Sequence, residues 1–229
     1  MSIRQELDKN FDNYEDIYLI EEKCYMDIYS AYNKKEGREC TLKIIDKNKL
    51  KLNEYILDKI KKGAEINKLY NSENIVQIYN KYENKNYFIL ELENYGNTLY
   101  SYIQDNGNVV NKEIFKKIVI DLAKALKIIH SNGIIHRDIQ LNNIYIKENE
   151  NENENKQLNV KIGNFDSSIY MKENIYDSAG NIYYSAPEMI KNLKYNEKCD
   201  LYSLGVVLYQ LYFNYLPYSY KAGKITINR

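Results

Sequence analysis

Apolar residues between positions 17 and 92 come in short runs: Ile17 to Ile20, Tyr25 to Tyr32, Cys40 to Ile45, Ile75 to Tyr79 and Tyr87 to Leu92. Each is rich in Ile, Leu, Tyr and Val and bounded by polar residues, which predicts five strands. One stretch breaks the series. From about Leu52 to Tyr70, Ile56, Ile60, Ile66 and Tyr70 recur near helical spacing among Lys, Asn and Asp, predicting a helix with one buried face. After Tyr95-Gly96-Asn97 the period changes. Ile114, Phe115, Ile118, Leu122, Leu126 and Ile129 mark a long amphipathic helix that stops at Ser131-Asn132-Gly133. Asn143 to Ile146 and Leu158 to Ile162 read as strands around KENENENENK, a charged insertion with nothing to bury, where a mobile hairpin loop is expected. Leu201, Leu204, Val207, Leu208 and Leu211 form a helix whose near-continuous hydrophobicity predicts deep burial. No internal repeat is visible.

The pattern is α+β: a small lobe over residues 1–92, with a five-stranded antiparallel sheet and one helix, and a mainly helical larger lobe over 93–229. With 229 residues, 44% of them hydrophobic, the chain is long enough to bury a core in each. Lys plus Arg number 32 and Asp plus Glu number 32, so no basic field points to nucleic acid or an anionic membrane as partner. Cys24, Cys40 and Cys199 are odd in number, widely spaced and without zinc-ligand spacing, which argues for a reducing compartment. The N-terminal MSIRQELDKNFDNYED lacks a secretory apolar stretch, and no run approaches the roughly 20 apolar residues of a membrane span. An intracellular, cytoplasmic protein is the expectation.

The segment IIHRDIQLNN, Ile134 to Asn143, resembles the catalytic loop of eukaryotic-type protein kinases, H-R-D-x-x-x-x-N, through His136, Arg137, Asp138 and Asn143. SAPEM at Ser185 to Met189 resembles the family's A-P-E motif, and CDLYSLGV at Cys199 to Val206 the buried helix after it. Upstream, ECTLKII puts Lys43 on a strand, as the family's phosphate-binding lysine is. The two prolines, Pro187 and Pro217, also occupy family positions, and the likeness spans roughly residues 17 to 220. It implies a bilobal fold and a set of site residues. Asp138 and Asn143 take the catalytic places, Lys43, Glu91 and Leu92 the nucleotide-binding ones, and Asn143 and Asn164 the metal-binding ones. His136, Arg137, Phe165, Glu188 and Asp200 take structural places, with His136 and Phe165 in a buried stack and Asp200 anchoring the catalytic loop.

Several positions depart from that pattern. The D-F-G segment, whose aspartate holds Mg²⁺, reads Gly163-Asn164-Phe165-Asp166, so a neutral amide replaces the carboxylate. Asp166, at the glycine position, is expected to point elsewhere along a tight turn. The glycine-rich loop reads EEKCYM, with Glu21, Lys23 and Met26 at the glycine positions, Lys23 partly offsetting the acids. Counting back from Asn74-Ile75-Val76 places Gly63 where a helix glutamate normally pairs with the lysine, and neither Glu54 nor Glu65 shares its helix face. Gln140 replaces a catalytic-loop lysine, and Asn181 the threonine before A-P-E.

The resemblance with these departures implies a pseudokinase, an interaction or allosteric module with weak or no ATP and metal binding. The alternative is an ATP- and Mg²⁺-dependent kinase of the serine/threonine type with atypical metal use. A protein is the partner or substrate in either case. Ser167, Ser168, Tyr170, Tyr176 and Ser178 are candidate phosphate acceptors, with Arg137 as the phosphate's partner. His130 reads as a core or capping histidine. Family members continue past the segment matched by Leu216-Pro217-Tyr218, so a shortened large lobe is expected, with Glu188 lacking its usual arginine and part of the core covered by another molecule.

Overall fold

The computed structural model describes residues 13–50, 54–107, 110–150, 156–173, 176, 179–221 and 224–227. The chain divides into two compact units, Met1–Asp58 with Gln77–Asn94, and Lys59–Val76 with Tyr95–Arg229. The first unit holds the expected antiparallel sheet, built from β1 (Tyr14–Glu22), β2 (Met26–Asn33), β3 (Arg38–Asp46), β4 (Ile78–Glu83) and β5 (Tyr87–Glu93) in the order β1-β2-β3-β5-β4. Alternation along β3 turns Cys40, Leu42 and Ile44 to one face, where they pack with Tyr14, Ala31 and Ile89.

Strand β4 lies three residues later than expected at its start. Ile75 makes only an isolated bridge to Ile162, and the flanking main chain is bonded there too, Ile162 N–H to Asn74 O at 2.9 Å and Val76 N–H to Ile162 O at 2.9 Å. The hydrophobicity of Ile75 and Val76 therefore reports the core of the second unit, not the sheet. Helix α1 (Glu54–Asn67) buries Ile60, Gly63, Ala64 and Ile66. Positions 52 and 53 of the expected helix lie outside the described residues, and Tyr70 lies in the turn beyond its end.

The second unit contains α2 (Leu99–Asp105), α3 (Lys112–Ser131), α4 (Pro187–Ile190) and α5 (Lys198–Phe213). Its strands are β6 (Asn97–Thr98), β7 (Ile134–Ile135), β8 (Ile144–Glu150), β9 (Lys156–Ile162), β10 (Ile169–Tyr170), β11 (Tyr218–Lys221) and β12 (Lys224–Ile227). Helix α3 starts where Asn111 accepts the Ile114 N–H and runs out at Gly133, whose φ of +70° suits glycine. Its Ile118, Leu122, Ala125 and Ile129 line the core, and its buried Asp121 accepts from Val160 N–H at 3.2 Å and from Lys117 Nζ at 2.6 Å. Helix α2 was not expected. Thr98 caps it on Ser101 N–H, and only Leu99 and Ile103 are buried, too few apolar positions to stand out.

The charged insertion is half strand. Pairing of β8 with β9 reaches Glu150 opposite Lys156, and 151–155 lie outside the described residues. Helix α5 departs from deep burial: Cys199, Ser203, Val206, Val207 and Leu211 are inside, whereas Leu201 is 51% and Tyr212 71% exposed. Apolarity all round a helix does not say which side receives a neighbour.

Glu91 organises the first unit. Its carboxylate has no exposure; Oε1 accepts from Asn33 Nδ2 at 2.9 Å and Arg38 at 3.3 Å, and Oε2 from Tyr14 OH at 2.9 Å and Asn80 Nδ2 at 2.8 Å. Burial alone would raise its pKa, but the donors from Asn80, Asn33, Tyr14 and Arg38 outweigh this and hold it below the ordinary carboxylate value. In Glu91→Gln an NH₂ group meets donors on whichever side it lies. The expected cost is roughly 2–4 kcal/mol in urea unfolding of the full chain.

Candidate functional site

One buried carboxylate shapes the loop that follows β7. Asp200, on α5, accepts the backbone N–H groups of His136 and Arg137, each at 2.8 Å, and lies 2.8 Å from His130 Nε2. Three donors around a carboxylate of zero exposure satisfy a charge that could not otherwise be buried. His130 thus belongs to the loop's anchor. Arg137 adopts φ +66°, a left-handed conformation costing roughly 1–2 kcal/mol for a side-chain-bearing residue, which these bonds hold in place. Its guanidinium reaches the Ser167 carbonyl from Nε at 2.6 Å and the Tyr195 hydroxyl from Nη1 at 2.9 Å. Arg137 therefore ties together segments of this chain.

His136 is fully buried, its ring edge-on to Phe165 at 4.8 Å, and Phe165 meets Tyr70 at 5.6 Å. The expected stack is present, with Tyr70 as a third member that helical periodicity had assigned to a helix face. Nδ1 of His136 accepts from Asp138 N–H at 3.3 Å, leaving Nε2–H to donate to Gly163 O at 3.1 Å. The ring is neutral, since burial pushes its pKa below the usual value.

Asp138, Asn143 and Asn164 come together as the sequence predicts, joined by residues given no site role. Asp138 Oδ1 accepts from Gln140 Nε2 at 2.7 Å and from Asn181 N–H at 3.1 Å. Oδ2 accepts from Asn143 Nδ2 at 2.6 Å, and the same nitrogen donates to Asp138 O at 2.8 Å. With its NH₂ group so held, Asn143 turns Oδ1 outward, and Asn164 Nδ2 donates to it at 3.1 Å. Asn164 has φ +61°, a left-handed conformation that asparagine tolerates better than most residues. The donors to Asp138 are thus neutral amides. Asn143 and Asn164 have only amide oxygens for a metal, and that of Asn143 already has a donor. Among the described residues no cluster of three or more His, Cys, Asp or Glu side chains is placed to hold a metal ion.

Gly63 faces the same segment. A Cβ there would lie 2.4 Å from Phe165 O and 2.9 Å from Asp166 Cα, so this arrangement of α1 admits no side chain at that position. Glu54 and Glu65 are exposed. The neighbouring Lys62 Nζ contacts both oxygens of Glu173 at 2.8 Å, and Glu173 also accepts from Tyr170 N–H at 3.0 Å. Asp166 is half-buried in a 3₁₀ turn, Phe165–Ser167, and Glu188 half-buried in α4. Ser168 is buried and Tyr176 exposed, while Ser178 lies outside the described residues.

The expected nucleotide residues Lys43, Glu91 and Leu92 belong to the first unit. Lys43 is buried on β3 with Ile28 and Leu90 as register partners, and Leu92 is paired with Thr41. The Glu91 carboxylate is engaged inside the sheet, and the residue itself is register-paired with Leu42 on one side and Asn80 on the other. Lys23 N–H closes the turn after β1 on Met26 O at 2.9 Å, and its Nζ pairs with Glu21 at 3.0 Å. The lysine offsets that acid within the loop itself.

A pH prediction follows from His136. Its folded pKa lies below the unfolded 6.5, so between the two values the unfolded chain binds the extra proton. Its contribution is complete above about pH 6.5 and lost as pH falls further, at up to about 1.4 kcal/mol per pH unit. Glu91 and Glu173, both held below 4.5, contribute above that value and lose it only at more acid pH. Melting curves are expected to shift downward from about pH 6.5, and His136→Gln to remove that step while keeping the more acid one.

Comparison with known proteins agrees with this geometry. The family model for the protein kinase domain matches residues 24–229. The chain is 32% identical over 209 residues to calcium-dependent protein kinase 5 of Plasmodium berghei (strain Anka), covering 90% of this chain and 35% of that protein. It is 31% identical over 217 residues to calcium-dependent protein kinase 5 of Plasmodium falciparum (isolate 3D7), covering 93% and 36% respectively. It thus spans about a third of the length of these relatives. No helix among the described residues is long and apolar enough to cross a membrane. With its antiparallel five-stranded sheet, its Asp200-anchored catalytic-type loop and a family match over most of its length, the chain belongs to the protein kinase domain family.

Proposed function

We propose that this kinase-family domain is a pseudokinase, an intracellular interaction or allosteric module that binds nucleotide weakly or not at all and does not transfer phosphate. The observation that carries this reading is the hydrogen bond from Asn164 Nδ2 to Asn143 Oδ1 at 3.1 Å. Phosphoryl transfer relies on Mg²⁺ to neutralise charge on the phosphates, and magnesium favours hard oxygen ligands with a carboxylate among them. An aspartate at 164 would set acceptor against acceptor opposite Asn143, an arrangement that a cation resolves. The amide resolves it with its own N–H. This donor set does not fit magnesium.

Two further features support the reading. The tight approach at Gly63 leaves no room for the family's helix glutamate. Glu21, Lys23 and Met26 carry side chains where backbone amides would approach phosphates. A protein is the partner this reading calls for, and the exposed Tyr212, Phe213 and Tyr215 near the end of α5 are apolar surface that it would cover. The second reading is an ATP-dependent serine/threonine-type kinase with atypical metal binding. It is favoured by Lys43, Asp138 and Asn143 and by the kinase names of the relatives.

Two measurements separate the readings. Labelled phosphate from ATP is expected not to reach a generic protein substrate, for the natural chain and Asp138→Ala alike. Transfer by the natural chain that disappears in Asp138→Ala would overturn the pseudokinase reading. ATP with Mg²⁺ is expected to leave the melting temperature unmoved, whereas Asn164→Asp gains a magnesium-dependent rise, worth about 2.7 kcal/mol at a hundredfold excess over Kd.

A further inference from the structure

We infer that Asp138 serves as the anchor for the chain segment that returns to the catalytic-type loop at residues 180–185, a positioning residue in place of a proton acceptor. The inference rests on the pseudokinase reading for the idleness of Asp138 as a base, but its contacts are a separate set. The segment that departs after Phe165 comes back to the loop at Ala179 and Gly180. Gly180 has φ +73°, and a Cβ on it would stand 2.3 Å from Arg137 O and 2.8 Å from Asp138 Oδ1. Only glycine lets the main chain lie this close to the carboxylate. The next N–H, that of Asn181, then donates to Asp138 Oδ1 at 3.1 Å.

The side chain of Asn181 closes a ring. Its Nδ2 donates to Gln140 Oε1 at 3.1 Å, and Gln140 Nε2 donates to Asp138 Oδ1 at 2.7 Å. Two amides suit this arrangement because each both donates and accepts; a lysine at 140 would have no acceptor for Asn181. From the same residue the chain turns into α4. Asn181 Oδ1 accepts from Tyr183 N–H at 3.1 Å, its carbonyl accepts from Tyr184 N–H at 2.9 Å and Ser185 Oγ at 3.0 Å, and Ser203 Oγ holds Tyr184 O at 2.8 Å. The carboxylate therefore stands at the head of a hydrogen-bonded path from the catalytic-type loop to α4 and α5. Oδ1 accepts two donors and Oδ2 the Asn143 amide, a set that places residues 180–185.

Amide hydrogen exchange read by mass spectrometry on the full chain tests this, with peptides covering 179–185 as the readout and peptides from α3 as the control. Asp138→Ala is expected to speed exchange at 179–185 about tenfold or more, as loss of a charge-assisted hydrogen bond does, with α3 unchanged. Asp138→Asn retains an oxygen for Gln140 and Asn181 while its NH₂ faces that of Asn143, and is expected to restore protection at 179–185 in part. Unchanged exchange in Asp138→Ala, or exchange in Asp138→Asn as fast as in Asp138→Ala, overturns the anchor role. Should Asp138→Ala also loosen α3, Gln140→Ala decides: acceleration confined to 179–185 supports the ring, and none overturns it. Phosphate transfer by the natural chain would remove the pseudokinase reading without altering these rates, so the two ideas fail separately.

Discussion

The burial of Asp200 is the constraint on which the loop and its neighbours depend. A carboxylate with no exposure must find donors, and the His136 and Arg137 backbone amides can supply them only if the main chain turns left-handed at Arg137. That turn presents His136 to Phe165 on one side and Asp138 to its amides on the other. Arg137 then reinforces it by bonding the Ser167 carbonyl and the Tyr195 hydroxyl. None of this requires a reaction. The same framework serves an enzyme or an inactive relative, which is why these residues speak for the fold more than for activity.

What differs is the chemistry hung on that framework. From Asn164 through Asn143 to Asp138, and from there to Gln140 and Asn181, hydrogen bonds run through one carboxylate and four neutral side-chain amides. Here donors and acceptors satisfy one another. Gly63 extends the theme in steric form, because main chain occupies the space its side chain would need.

Much of the fold was legible before any coordinates. The spans of strands β2, β3 and β5 and helix α3 follow nearly to their ends from the sequence, the strands because each is an apolar run bounded by polar residues, the helix because its buried residues recur at helical spacing. The misplacements have a common cause. Ile75 and Val76 are apolar for a core other than that of the sheet, and the apolarity of α5 is shared between a buried side and exposed Leu201 and Tyr212. Hydropathy reports that a residue avoids water, not which neighbour removes it. The site divides in the same way. His136, Asp138, Asn143 and Asp200 follow from motif spacing, but Tyr70, Tyr195 and His130 enter through contacts between residues from 58 to 95 positions apart.

Sequence alone determined which groups are available: a carboxylate at 138, amides at 140, 143, 164 and 181, and no side chain at 63 and 180. The tertiary structure decided their pairing. An amide has a donor end and an acceptor end, and its direction depends on where its partners lie once distant segments have packed. Asn164 turns its NH₂ toward Asn143 because Asp138 already holds the NH₂ of Asn143, and Gly180 lets the main chain reach Asp138 because that close approach excludes a Cβ.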